Sequence, residues 1–316
     1  MKIGIVGAGA VGSACLLSLV MRGCAREIVL IDKNHERAQG VATDVQYGTV
    51  LSPAVEVCAG DYSDLAGASL VMITAGINEK AGGATNRSDP AGRLRLLDNN
   101  AGIYREIVPQ ILRTAPDTVI LVVSDPPEAL ADVVRLLGHD KVLSTGTSLD
   151  TLRFRFHLAQ RIKVHPAYVE AQVLGEHGLS SVFLWSSASV AGKPVLDAMA
   201  EPEKPTLQHE IEHEVRYANI TIIEGIGASQ YGIGMISARI TEMVLRDERA
   251  VLPIGFYQPR YGVTLSLPSV LGREGVLEIL EPEMSDEERH GLERSAETLR
   301  QAVARIGVAA PQRKTA

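Results

Sequence analysis

The amino-acid sequence predicts an α/β fold in which a doubly wound parallel sheet, residues 1–145, is followed by a domain of mixed α+β structure, residues 146–316. Two observations predict the sheet: short, continuously apolar runs recur along the first half, and helical patterns separate several of them. Strands buried on both faces have this composition, and intervening helices supply right-handed crossovers between parallel strands. A third observation, the change to long helical patterns after Thr145, places the domain boundary.

The individual elements can be assigned in chain order. Strands are expected at residues 2–6, 27–31, 55–59, 70–74, 118–123 and 142–145, and crossover helices at 11–21, 93–114 and 127–137. In the second domain the longest helical patterns cover 151–161, 206–245 and 285–306. A chain of 316 residues with 46% apolar residues can bury a substantial core without disulfide bonds or a structural metal.

Charge and cysteine content narrow the expected partners and compartment. A net charge of −7 disfavours binding to nucleic acid or to an anionic membrane surface, so the expected partner is a small molecule. Residues 3–20 carry no charge, as in a signal peptide or a membrane span. Gly4 and the glycines after it would weaken a membrane helix, so a targeting or membrane segment is not expected here. Cys15, Cys24 and Cys58 are odd in number and lack metal-ligand or redox spacing, which indicates the reducing cytoplasm.

A glycine-rich turn follows the first predicted strand. It has the pattern G-x-G-x-x-G, formed by Gly7, Gly9, Ala10, Val11 and Gly12 with Ala8 between the first two. The glycines allow a tight turn, close approach of a pyrophosphate and close helix packing, which is the Rossmann dinucleotide fingerprint.

An acidic residue lies at the interval that this fingerprint requires. Asp32 ends the second strand, twenty residues after Gly12. A carboxylate there would accept hydrogen bonds from both ribose hydroxyls of NAD and would repel the 2′-phosphate of NADP. NAD is therefore the expected cofactor, with a further contact at Thr74, Ala75 and Gly76 beyond the fourth strand. The alternative is a plain glycine-rich turn in which Asp32 caps a helix.

A second set of polar residues lies in the C-terminal half. His177 stands between two glycines after a strand-like run, and Asp150 and Arg153 are three residues apart, on one face of a helix. Reduction of a 2-oxo acid needs a proton donor and a cation for the carboxylate, and these residues supply both. Taken singly, the histidine could be a satisfied core or surface residue and the acid and arginine a plain ion pair.

Over nearly its whole length the chain resembles the L-lactate/malate dehydrogenase family. The resemblance rests on the glycine turn, Thr74-Ala75-Gly76, the segment 144–150 and the tetrapeptide 175–178. It implies that His177 is the general acid/base, oriented by Asp150. It further implies that Arg153 binds the substrate carboxylate, that Arg93 on a closing loop polarises the carbonyl, that Ser229 lies near the substrate and that Thr145 contacts the cofactor. A homodimer or homotetramer is the assembly that the resemblance suggests.

Residues 77–92 form a loop roughly eight residues longer than the resemblance leads us to expect, and its composition suits a lid. In the family, a residue on this loop chooses between lactate and malate. Counting from Thr74 selects Glu79, whereas counting back from Arg93 selects Arg87. Glu79 would repel a second carboxylate and Arg87 would bind it, so the substrate choice stays open at this point. The segments around 151–178 resemble lactate dehydrogenases more than malate dehydrogenases.

Two further positions depart from the family. Asp125 stands where the family has asparagine, and an ionised aspartate cannot donate a hydrogen bond to a substrate oxygen. Asp125 is therefore expected to be neutral, to pair with Arg93 or Arg87, or to select a substrate with a cationic group. Glu170 replaces a histidine of the bacterial lactate dehydrogenases that sugar bisphosphates activate, although Arg155 matches their second phosphate ligand, so activation by fructose 1,6-bisphosphate is not expected.

Three alternatives compete with a lactate-type enzyme. A malate dehydrogenase or another 2-hydroxy acid dehydrogenase fits the same residues, and an NAD(H)-binding sensor without turnover would share the fold. His209 and His213 form an H-E-x-x-H pattern, as in zinc proteases, but we interpret the pattern as the solvated first turn of a long helix. No metal is expected.

Overall fold

The computed structural model describes residues 1–82, 85, 91–198 and 204–306. Its strands are β1 (Lys2–Val6), β2 (Glu27–Ile31), β3 (Glu56–Ala59), β4 (Leu70–Ile73), β5 (Val119–Val122), β6 (Val142–Ser144), β7 (Val169–Glu170), β8 (Val173–Leu174), β9 (Val182–Phe183), β10 (Ser189–Val190), β11 (Lys193–Pro194), β12 (Ala250–Gln258), β13 (Val263–Gly272) and β14 (Gly275–Ile279). Its α-helices are α1 (Ala10–Arg22), α2 (His35–Gly48), α3 (Ala91–Thr114), α4 (Pro127–Leu136), α5 (Ser148–Ile162), α6 (Lys204–Ile226), α7 (Tyr231–Leu245) and α8 (Asp286–Arg305).

One large sheet organises the described residues. Its strand order is β14-β13-β12-β6-β5-β4-β1-β2-β3, and β1 to β6 pair in parallel. The C-terminal strands continue this sheet, because β12 pairs antiparallel with β6 through Gly255 and Ser144. The chain order reverses between β1 and β4, and ligands of such sheets bind at this reversal, beyond the carboxyl ends of the strands.

Both faces of the parallel sheet are covered. In β1 the side chains of Ile3 and Ile5 pack with α1 and α7 on one face, and Val6 packs with α3 and α4 on the other. The neighbouring strands alternate in the same way, as the continuously apolar runs predicted. The doubly wound α/β fold is confirmed.

The helices expected from the sequence miss one helix, α2, and join two others, α6 and α7, into one pattern. The crossover helix α2 was not expected, because its sequence is largely polar and it buries only small side chains such as Ala38 and Ala42. The long pattern at 206–245 is two helices, since Gly227 adopts φ +85° and the chain turns before α7 begins. This break places Ser229 in a loop.

In the part of the chain that the structure describes, no helix has the length and apolar character needed to span a membrane.

Candidate active site

The glycine turn connects β1 to α1 at the point where the strand order reverses. Gly7 adopts φ +115°, and a Cβ atom on Gly12 would lie 1.8 Å from the carbonyl oxygen of Gly7. A side chain at Gly7 or at Gly12 would therefore distort the turn. Thr74, at the end of β4, donates its hydroxyl to the Gly7 carbonyl oxygen at 2.8 Å, so the two strand ends are held together.

Gly9 and Asp32 supply what a dinucleotide needs at this turn. A Cβ atom on Gly9 would have no described atom within 4 Å, so this side of the turn is open for close approach of a ligand. The Asp32 carboxylate accepts the Ala8 N–H at 2.7 Å and the Asn34 N–H at 2.8 Å. A carboxylate has about four lone-pair positions, so two accepted bonds leave capacity for ribose hydroxyls. The residues present therefore fit a dinucleotide.

A cavity of about 340 Å³ extends from this turn to the chemical residues. Of the residues expected at the site, those that line it are Gly9, Ala10, Val11, Thr74, Gly76, Asp125, Thr145, Arg153, His177 and Ser229. Five other expected residues do not line the cavity but contact residues that do, namely Gly7, Gly12, Asp32, Ala75 and Asp150. One continuous cavity thus joins the cofactor turn, near the N-terminus, to a histidine in the second half of the chain.

Two expected residues fall wholly or partly outside the described structure. The backbone of Arg93 lies in the first turn of α3, and its side chain is outside the described residues. Arg87 lies outside them altogether, as do residues 83, 84, 86 and 88–90 of the expected lid segment. The proposed role of each stays a prediction.

The centre of the site is an ion-pair chain of three residues. Asp150 Oδ2 lies 2.5 Å from His177 Nδ1, and Asp150 Oδ1 accepts a hydrogen bond from Arg153 Nη1 at 3.1 Å. The Asp150 side chain is almost fully buried, whereas the imidazole of His177 is partly exposed to the cavity. Because Asp150 binds Nδ1, the ring is oriented with Nε2 as the atom for proton exchange.

Electrostatics favour the ionised form of Asp150. Burial acts to raise the pKa of the Asp150 carboxyl, but the charge and hydrogen bond of His177 and those of Arg153 outweigh burial and hold the pKa below its ordinary value. An aspartate that stays ionised stabilises a protonated imidazole. The arrangement is therefore suited to exchange of a proton beside a guanidinium that is free to turn its other N–H groups to an anion.

Neighbouring hydrogen bonds hold this chain in place. Thr147, the N-cap residue of α5, and Thr151 in the first turns of that helix bond through their hydroxyls to the backbone of Val173 in β8. Gly175 adopts φ +84°, and a Cβ atom there would lie 2.5 Å from the Ser295 hydroxyl of α8. The turn into His177 therefore requires glycine, and the distance between α5 and β8 is fixed by local bonds.

The two positions with unexpected charge both line the cavity. Asp125 lies at the end of the loop that follows β5, in a cis peptide bond with Pro126, and Glu79 lies in the loop that follows β4. Asn100 of α3 joins the two loops, because its side chain donates to the Asp125 carbonyl oxygen at 2.8 Å and accepts the Ile77 N–H at 2.8 Å.

Sequence reasoning missed several residues of the site. Asn100 is fully buried at a polar position of α3, which a helical hydrophobic pattern could have shown. Asn219 of α6 and Arg37 of α2 line the cavity, and no motif marked them. Their placement depends on where two helices cross the sheet, and residue spacing does not give that information.

The H-E-x-x-H pattern lies in the middle of a helix packed on its neighbours. Our interpretation as a first turn was wrong, because α6 begins at Lys204 and Glu210 pairs with Arg161 of α5. Its other acid, Glu212, accepts a hydrogen bond from the indole of Trp185. Among the described residues, no group of three or more possible ligands is placed to hold a metal ion.

Comparison with known proteins identifies the family. Residues 1–141 match the family model described as the lactate/malate dehydrogenase NAD binding domain, and residues 147–307 match the model of the alpha/beta C-terminal domain of the same family. The chain belongs to the lactate/malate dehydrogenase family. NAD is therefore the cofactor of this chain, and its fold is that of the family.

Individual members of the family are similar over almost their full length. An L-lactate dehydrogenase of Deinococcus radiodurans is 45% identical over 312 residues, which are 98% of this chain and 100% of the relative. An L-lactate dehydrogenase of Thermus aquaticus is 42% identical and covers 97% and 100%. A third similar protein is a minor L-lactate dehydrogenase from Enterococcus mundtii, whose crystal structure is in a ligand-bound form. It superposes with a TM-score of 0.89 at 33% identity, over 98% of this chain and 99% of that chain.

Proposed function

We propose that this chain is an NAD-dependent L-2-hydroxy acid dehydrogenase that interconverts L-lactate and pyruvate. The observation that carries the proposal is the cavity shared by the glycine turn, His177 and Arg153. The relatives named above are L-lactate dehydrogenases, which supports lactate over malate as the substrate.

Each residue of the ion-pair chain has a proposed role. When bound, NADH supplies the hydride that reduces the 2-carbon of the oxo acid. His177, protonated and stabilised by Asp150, donates its Nε2 proton to the carbonyl oxygen, and in the reverse direction it takes the proton from the hydroxyl. Arg153 binds the substrate carboxylate through the N–H groups that Asp150 does not use. Arg93 is proposed to polarise the carbonyl.

The remaining expected residues are proposed to shape the cavity. Ser229 and Asp125 line it from different loops, and we propose that Asp125 shifts the range of substrates that are accepted. Either Glu79 or Arg87 is proposed to set the preference between monocarboxylic and dicarboxylic substrates. Comparing Asp125→Asn with the unaltered protein on the same set of acids tests the first of these roles, because an unchanged ranking of substrates would remove it.

Oxidation of NADH measured with a panel of 2-oxo acids tests the proposed activity. We expect pyruvate to give the highest kcat/KM, with oxaloacetate lower. A higher value for oxaloacetate would assign the chain to malate. Binding of NADH without consumption of any acid would instead support the sensor alternative.

We propose that two copies of the chain associate through α1 and α7. These helices pack against each other, and large apolar side chains on them are exposed in the single chain, namely Leu17, Met21, Tyr231 and Met235. Apolar patches of this kind mark protein interfaces. Light scattering of the paired variant Met21→Glu with Met235→Glu should show a monomer where the unaltered chain is a dimer or tetramer.

We also propose a division into domains at residue 145 and a cytoplasmic location. The thiols of Cys15, Cys24 and Cys58 are free, which supports a reducing compartment.

A further inference from the structure

A second buried carboxyl, that of Glu128, contacts the backbone of His177. Glu128, the second residue of α4, has no exposed surface. Its Oε1 accepts the backbone N–H of His177 at 3.0 Å and the hydroxyl of Ser266, on β13, at 3.3 Å. The two acids thus hold the same residue at different points: Asp150 holds the ring, and Glu128 holds the main chain.

The packing leaves the Glu128 side chain little freedom. A Cβ atom built on Gly146 would lie 3.3 Å from Glu128 Oε1, and one built on Gly255 would lie 3.5 Å from its Cγ. No described residue donates a hydrogen bond to its second oxygen, Oε2. Burying a carboxylate with one unsatisfied oxygen costs free energy. The ionised form of Glu128 therefore depends on a nearby positive charge.

The charges that act on Glu128 come from one loop. Burial raises the pKa of Glu128 to about 7, while protonated His177 lowers it and Glu176 raises it. The strands that pack on Glu128 present uncharged groups, such as the hydroxyl of Ser266 and the backbone of Gly255. Among the described residues, protonated His177 is the cation whose charge acts most strongly on this acid.

We infer that Glu128 is a positioning residue for His177, whose backbone it fixes and whose protonated imidazole its negative charge favours. The inference rests on the proposed function only for the statement that His177 exchanges the proton. A purely structural anchor would hold the backbone equally well without charge, so the charge is the property to test.

The charge can be removed while the shape is kept. Glu128→Gln retains an acceptor oxygen for the His177 N–H, and Glu128→Asp retains the charge but shortens the side chain by one methylene. Asp132→Asn is the matched control: Asp132 is buried one turn later on α4 and binds Thr264 of β13, with no bond to His177.

The first measurement does not depend on activity. The imidazole of His177 is titrated by NMR in the apoprotein, with its signal assigned by its loss in His177→Asn. We expect the midpoint to fall by about one pH unit in Glu128→Gln, the order of effect of a nearby opposite charge. The midpoint should stay near the unaltered value in Glu128→Asp and in Asp132→Asn. An unchanged midpoint in Glu128→Gln, or an equal fall in Glu128→Asp, would overturn the inference.

The second measurement links the charge to turnover. The midpoint in the pH profile of kcat/KM for pyruvate should move with the NMR midpoint, and kcat should fall more than the KM for pyruvate rises. A shifted NMR midpoint with an unshifted kinetic profile would refute His177 as the proton donor while leaving its contact with Glu128 intact. If Glu128→Gln fails to fold, Glu128→Asp still decides: a midpoint lowered by about one pH unit despite the retained charge overturns the inference, and a retained midpoint with lowered kcat supports it.

Discussion

The cavity has two ends that are built in different ways: a cofactor end, at the glycine turn 7–12, and a chemical end, at Asp150, Arg153 and His177. The cofactor end is one continuous strand-turn-helix, and its close contacts are between backbone atoms, as at Gly7 and Gly12. The chemical end joins side chains from α4, α5 and the loop after β8, which lie far apart in sequence. Backbone geometry therefore limits substitution at the first end, and the chemistry of single side chains limits it at the second.

The largest effect is expected at the chemical end. His177→Asn removes the proposed proton donor and should lower kcat by roughly 10²-fold to 10⁴-fold, while NADH binding, which we propose for the other end, should stay intact. Stopped-flow reduction of pyruvate and a fluorescence titration with NADH measure the two properties separately. His290→Asn, at an exposed position of α8, is the control. Near-normal turnover in His177→Asn would remove this residue from the mechanism.

A smaller loss is expected where geometry, but not charge, is altered. Arg153→Lys keeps a cation near the substrate carboxylate but loses the planar fork, and should lower kcat/KM by about 10-fold to 100-fold. Arg161→Lys, on the same helix and in an exposed pair with Glu210, should leave kcat/KM unchanged. Equal effects at the two positions would argue against a role of Arg153 in binding the substrate.

The cofactor end can be tested by two glycine substitutions. Gly12→Ala places a methyl against the Gly7 carbonyl and should destabilise the protein by about 1–3 kcal/mol as well as weaken NADH binding. Gly9→Ala meets open space and should leave the melting temperature unchanged but weaken NADH binding, because its methyl would occupy the approach to the pyrophosphate. If Gly9→Ala binds NADH normally, the pyrophosphate lies elsewhere.

The same difference explains what the sequence could predict. The turn and Asp32 were predictable because they lie in consecutive elements of fixed geometry. The pairing of Asp150 with His177 was expected from family resemblance, since the spacing of residues on α5 does not say which strand the helix faces. Glu128 was missed because nothing in its sequence context separates a buried carboxyl from an exposed one, whereas the hydrophobic pattern of α3 could have placed Asn100 on the buried face of that helix. Helix α2 was missed because it buries too little apolar surface to show a period.

Two buried aspartates should respond to acid in opposite directions. The pKa of Asp150 is lowered, so its contribution to stability is present above about pH 4, its unfolded pKa, and is lost as the pH falls through the folded pKa. Burial raises the pKa of Asp132 despite its bonds to Thr264 and Arg135, so its contribution is present at low pH and is lost as the pH rises.

Urea unfolding from pH 3 to pH 6 measures this contrast. Relative to the unaltered protein, Asp150→Asn should lose stability as the pH rises, and Asp132→Asn should gain it. Parallel trends in the two variants would show that the partners of Asp150 do not hold it in the charged form.

The smallest effect is expected at a site remote from the cavity. Glu170 accepts a hydrogen bond from Ser189, and the guanidinium of Arg155 donates to the Ala171 carbonyl oxygen. A carboxylate repels a phosphate, so fructose 1,6-bisphosphate should leave the KM for pyruvate unchanged, with sodium sulfate at equal ionic strength as the control. In Glu170→Gln the repulsion is removed while Arg155 keeps its orientation. A fall in KM with the sugar bisphosphate in that variant alone would assign the lost response to this one charge, whereas a fall in the unaltered protein would contradict the prediction.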